Sequence, residues 1–110
     1  MPFYMFSGSY STDAFKAMVA NPHDRAAAVR PFVEAAGGTL HHLFFCFGDD
    51  DVMAIIEAPD DDAMAAAALV VAASGSMSGG KTTKLMTSAE AMEAMTRAGG
   101  IAGSYSPATG

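Results

Sequence analysis

The stretch TLHHLFFCFGDDDVMAIIEAPDDDA, Thr39 to Ala63, decides the fold. Thr39–Phe47 is rich in aromatic residues and leucine and reads as a strand. Gly48 to Asp51 carries the small and acidic residues of a hairpin turn. Asp51–Ala58 is a second strand, with Val52, Ala54 and Ile56 opposite Met53, Ile55 and Glu57, and Pro59 stops it. Asp60–Asp62 then opens a helix, because carboxylates in a first turn meet free N–H groups and the positive end of the helix dipole. The unit is therefore strand, turn, strand, helix, and the two strands must pair antiparallel.

Working outward, Pro2–Tyr10 is an aromatic, apolar strand. Ser11-Thr12-Asp13 supplies cap side chains, and Phe15, Met18 and Val19 follow at helical spacing. Asn21-Pro22 predicts the cap and first turn of a second helical piece, whose stripe runs through Ala26, Val29, Val33 and Ala36. Pro31 lies inside that stripe and predicts a kink or break near Ala27–Pro31. Gly37-Gly38 ends the element. Beyond the central unit, an alanine-rich helix runs to about Ala73, Ser74–Gly80 reads as a flexible loop, and Lys81–Thr87 as a fourth strand. Thr87-Ser88-Ala89-Glu90 has the spacing of a capping box for a last helix bearing Met92 and Met95. Gly99–Gly110 is a Gly/Ser/Pro tail, so the expected division is a domain over 1–98 and a tail over 99–110.

The order β-α-β-β-α-β plus one helix predicts an α+β, ferredoxin-like domain, with helices on one face of a four-stranded antiparallel sheet. The other face raises a problem. By simple alternation, one side of the strand at Thr39 carries Thr39, His41, Leu43, Phe45 and Phe47, and the other carries Leu40, His42, Phe44 and Cys46. Either set is apolar, and large exposed patches mark interfaces. The expectation is that the open face packs on the sheet of a second copy.

At 110 residues the chain makes one domain, and its apolar content is largely alanine and methionine. The net charge of −6, with six Lys and Arg, argues against nucleic acid, which needs clustered basic residues, and against an anionic membrane surface. A single cysteine, Cys46, rules out an internal disulfide framework and fits a cytoplasmic protein. Met1-Pro2-Phe3 lacks a basic leader pattern, and the apolar run Ala63–Ala73 is about half of a membrane span.

Several stretches together carry a family resemblance: Asn21-Pro22, Asp24-Arg25, AAGGTL (Ala35–Leu40), Gly48, Asp51-Val52-Met53-Ala54-Ile55 and Glu57-Ala58-Pro59-Asp60-Asp61. The chain resembles the GYD-domain family of small bacterial proteins over roughly Phe3–Arg97. The resemblance implies a ferredoxin-like dimeric α/β barrel. The wider barrel group includes cofactor-free monooxygenases, isomerases, haem enzymes and ligand-sensing domains. The family's Gly-Tyr-Asp signature is incomplete here: Gly48 and Asp51 match, but Asp50 stands at the tyrosine position.

The candidate chemistry is sparse. Asp49–Asp51 and Asp60–Asp62 read as turn and cap, not as a metal site. His41 and His42 are the candidate catalytic pair, because an imidazole can act as base or hold haem iron. As neighbours in a strand they are expected on opposite faces. His23 is expected in an exposed first turn. Arg25 is expected either to hold a ligand carboxylate or to pair with a residue such as Glu57. Tyr4, Phe15, Phe45 and Tyr10 are the aromatic candidates for a pocket between sheet and helices. Gly75–Thr82 has Walker-type spacing, but the order helix, loop, strand is wrong for a phosphate loop. The expected function is small-molecule binding in that pocket by a homo-oligomer, without cofactor. The alternatives are a cofactor-independent or haem-assisted enzyme and a structural assembly subunit.

Overall fold

A computed structural model describes residues 1–110. The chain is α+β, with a four-stranded antiparallel sheet in the ferredoxin-like arrangement. Strands β1 (Phe3–Tyr10), β2 (Thr39–Phe45), β3 (Val52–Glu57) and β4 (Met77–Leu85) lie in the order β2-β3-β1-β4. Helices α1 (Thr12–Ala20) and α2 (Arg25–Ala35) join β1 to β2, α3 (Asp61–Ala73) joins β3 to β4, and α4 (Ser88–Ile101) follows β4.

Alternation in β3 sets the two faces. Val52, Ala54 and Ile56 are buried, whereas Met53, Ile55 and Glu57 are half-exposed. Tyr4, Leu40, Val33, Ala58 and Met64 join the buried set to form the core between sheet and helices. Only 11 of 110 residues are buried, so a single copy hides little apolar surface.

Four local expectations are corrected. First, the helical break falls before Pro31, not at it. Asn21 closes α1, its N–H donating to the Ala17 carbonyl, and Asp24, not Asn21, caps α2 through the N–H groups of Ala26 and Ala27. The cap at Asp24 starts the helix late, and α2 then runs unbroken through Pro31. It ends where Gly38 N–H donates to Val33 and Gly37 N–H to Glu34, with Gly37 at φ 86°, a Schellman closure that a Cβ would strain. Second, β4 begins at Met77, inside the expected loop. Gly8 of β1 lets the two strands lie close, because a Cβ there would press on the Gly79 carbonyl oxygen.

Third, α4 runs on through Gly99 and Gly100 to Ile101, followed by a 3-10 turn over Ala102–Ser104. This helix projects from the body and has substantial contact only with that turn. The molecule measures 59 × 32 × 22 Å, with a radius of gyration of 17.8 Å, against about 13 Å for a compact domain of this length.

The fourth correction decides where the histidines lie. β2 pairs with β3 as Leu40↔Ile56 and then His42↔Ile55, leaving His41 as an extra residue. Such a bulge offsets the alternation by one. Leu40, Leu43 and Phe45 therefore share the helix side with Ile56, Ala54 and Val52, while His42 and Phe44 lie opposite them with Ile55 and Met53. His41 also reaches the open face, bonding Glu57 and lying 5.3 Å from the Phe3 ring. Both histidines are on one face, not on opposite faces.

Candidate functional site

An apolar pocket of about 210 Å³ lies between the sheet and helices α2 and α3. Inward residues of β1 and β3 form its floor, and Val29, Phe32, Met64 and Val71 form its walls. Alanines at 28, 63 and 67 leave the space open, because they do not reach across it. Tyr10 closes one end. Its ring meets Phe15 edge-on at 5.5 Å and Phe45, tilted, at 5.7 Å.

One charged residue enters this apolar lining. Arg25, the first residue of α2, lines the pocket. Its Nε is buried and has no hydrogen-bond partner. One terminal nitrogen lies 3.2 Å from His23 Nε2, while His23 Nδ1 lies 3.1 Å from the Asn21 carbonyl oxygen. In that geometry Nδ1–H donates to the carbonyl and Nε2 accepts from Arg25. The expected pairing of Arg25 with Glu57 is absent: Glu57 bonds His41 at 3.0 Å, and the other two ion pairs are Lys81–Asp50 and Lys84–Asp61. A buried donor left unpaired costs about 1–3 kcal/mol, and more when charged. The pocket thus presents an apolar interior and one unneutralised, fork-shaped cation suited to a carboxylate.

A second space, an open groove of about 760 Å³, runs between α3 and β4. Tyr4 lines it, not the pocket under α2. The Tyr4 hydroxyl donates to Asp61 at 2.5 Å, and Lys84 reaches the same oxygen at 2.9 Å. Burial, and then the bond to Asp61, push the Tyr4 phenol up to about 12. The Tyr4 hydroxyl first, and Lys84 second, hold the Asp61 carboxyl below its ordinary value. This trio pins the first turn of α3 to the sheet, while Asp60 caps it through the Ala63 N–H. Of the four ligand candidates, then, Arg25 lines the pocket, Phe15 and Phe45 back the Tyr10 wall, and Tyr4 belongs to the neighbouring groove.

On the open sheet face, His41 and Glu57 form a dyad at 3.0 Å, and the His42 ring stacks on Phe44 at 5.8 Å. The Asp51 carboxylate ties the β2–β3 connection to β1, accepting from the Tyr10 N–H at 3.0 Å. Asp50 lies 3.9 Å from Lys81. Lys81 and Thr82 of the Walker-like run sit within β4, with no helix N-terminus following them. The apolar pocket wall could not be assembled from the sequence, because Phe6, Phe32, Met64 and Met77 come from four separate elements. The one local signal was Arg25 near the start of the second helical piece.

A family model, the GYD domain, matches residues 4–95, and the chain belongs to that family. No curated protein and no solved structure matches it.

Proposed function

We propose that this GYD-domain chain binds a small molecule with an apolar body and an acidic group in the pocket between the sheet and α2/α3. The buried, unpartnered Nε of Arg25 carries the reading. A guanidinium in an apolar wall is unfavourable when unpaired and favourable when a carboxylate completes its fork. The volume of about 210 Å³ is below the usual range for drug-sized ligands, so the ligand is a single ring or a short chain. No cofactor is required for this role.

The test uses benzoate and methyl benzoate, followed through the Arg25 Nε–H resonance in ¹⁵N-labelled protein. Benzoate should shift that resonance saturably, and the ester should bind at least tenfold more weakly. Arg25→Met should remove the preference for the acid. Equal binding of acid and ester, or an unmoved Arg25 signal, overturns the proposal.

The open sheet face supports a homo-oligomer. Phe3, Met5, Met53, Ile55 and Phe44 lie on it, and Phe44 is 58 % exposed. Packing it on a second copy would recover roughly 25 cal/mol for each Å² of apolar surface removed from water. The His41–Glu57 dyad favours a second reading, a cofactor-independent enzyme with Glu57 orienting the His41 base. In that reading His41→Ala and Glu57→Gln lower turnover together, while ligand affinity in the Arg25 pocket is unchanged. The acidic net charge disfavours nucleic acid and membrane partners, no helix is long and apolar enough to cross a membrane, and the lone cysteine fits a reducing cytoplasm.

A further inference from the structure

Helix α4 and the groove beside α3 are two unfinished surfaces of one chain. In α4, Ala91, Met92, Met95 and Ala98 follow helical spacing and form an apolar stripe, while Glu90, Glu93 and Arg97 lie away from it. Met92 and Met95 are 63 % and 70 % exposed. A helix of 14 residues is marginal in water unless its stripe is covered. Yet this one is well begun: Thr87 accepts from the Glu90 N–H and Glu90 accepts from the Thr87 N–H.

The groove is complementary in shape and length. Ala65, Ala68, Leu69 and Ala72 line it at i, i+3, i+4 and i+7, a single stripe on α3. Small residues make a shallow floor on which another helix can approach closely, and methionines are adaptable knobs for such a floor. Leu69 is 69 % exposed, like the methionines it would meet. The 14 residues of α4 span about 21 Å, and the 13 of α3 about 20 Å.

We infer that α4 of one copy lies in the α3–β4 groove of a second copy, and that the exchange is reciprocal about a two-fold axis. The occupant is a second copy because α4 makes no substantial contact with its own α3 or β4, and none of its residues lines its own groove. Only Met86 and Thr87 separate it from β4, and the capping box commits the chain to helix at once, without a reversal. Because each copy has one arm and one groove, a closed dimer satisfies both. The inference stands independently of the ligand in the Arg25 pocket and of what covers the open sheet face.

The test is cross-linking in trans. One full-length chain carries Met95→Cys and the other Leu69→Cys, both in a Cys46→Ser background. They are mixed at micromolar concentration and oxidised, and both positions are exposed, so folding is checked simply by circular dichroism. A covalent heterodimer at least tenfold above the product of either chain alone is expected, and Met92→Asp in the arm should remove it. A heterodimer yield no higher than the single-chain controls overturns the exchange. So does an intrachain cross-link in a Leu69→Cys/Met95→Cys chain with no product in trans, which would place α4 on its own body.

Discussion

Ala67→Leu is the sharpest perturbation of the proposed pocket. Ala67 lies on α3, is half-buried and contributes to the pocket wall. Three added carbons would enter a space of about 210 Å³. Each fully buried carbon is worth about 0.8 kcal/mol, an upper limit of about 2.4 kcal/mol. The pocket is open at one side, so roughly 1–2 kcal/mol is expected. For a domain of this size that raises Tm by about 4–16 °C, at about 4–8 °C per kcal/mol. The comparison must be made at one protein concentration, because self-association alone would move Tm. The same variant should lose benzoate binding, because its side chain occupies the ligand's place, while Arg25 is untouched. Urea unfolding gives the stability and the Arg25 Nε–H shift gives the binding. Destabilisation would mean that the space is not present in solution. Higher stability with undiminished benzoate binding would mean that the acid is held elsewhere. Either result refutes the reasoning.

Three further outcomes follow from named contacts. Gly8→Ala places a Cβ against the Gly79 carbonyl oxygen and the Gly80 Cα at 3.0 Å. Both are backbone atoms that cannot step aside, so about 2–3 kcal/mol of stability should be lost in urea unfolding. The Tyr4–Asp61 bond predicts stability limbs at both ends of the pH range. Tyr4 holds its proton more tightly folded, so its contribution is full below pH 10 and is lost as pH rises from 10 toward about 12. Asp61 is depressed, so its contribution is full above its ordinary value of 3.8 and is lost as pH falls below it. Tyr4→Phe should flatten both limbs in a pH series of thermal unfolding, and unchanged limbs would reject the pairing. Deleting His41 should leave a regular ladder with Leu43 and Phe45 still inward. Deleting Phe44 inverts the residues beyond it. The first deletion should give a dispersed amide spectrum and the second should not.

The cap chemistry of the second aspartate triplet was legible in the sequence because it is local. The Asp51 carboxylate is engaged by the Tyr10 N–H, 41 residues away, whereas Asp60 needs only the N–H three residues on. The element order was legible for the same reason, and it fixes the sheet order once hairpins and crossovers obey their usual rules. Asp24 was harder to read as a cap. Asn21-Pro22 carries an equally good start signal three residues earlier, and only the path from α1 to the sheet selects between them. The extent of β4 was hidden because Ser and Gly rank poorly as strand formers. Pairing with Gly8 and Ser9 overrode that preference.

From its sequence alone, this chain was legible as a ferredoxin-like α+β domain, rich in alanine and acidic in net charge. Period, turn residues and charge are properties of neighbours along the chain, so they can be read without coordinates. Tertiary structure alone decided that His41 and His42 share a face, that Arg25 lacks a counterion, and that α4 leaves the body. Each of these depends on a register shift, a distance or a direction between segments far apart in sequence, and no local pattern encodes those quantities.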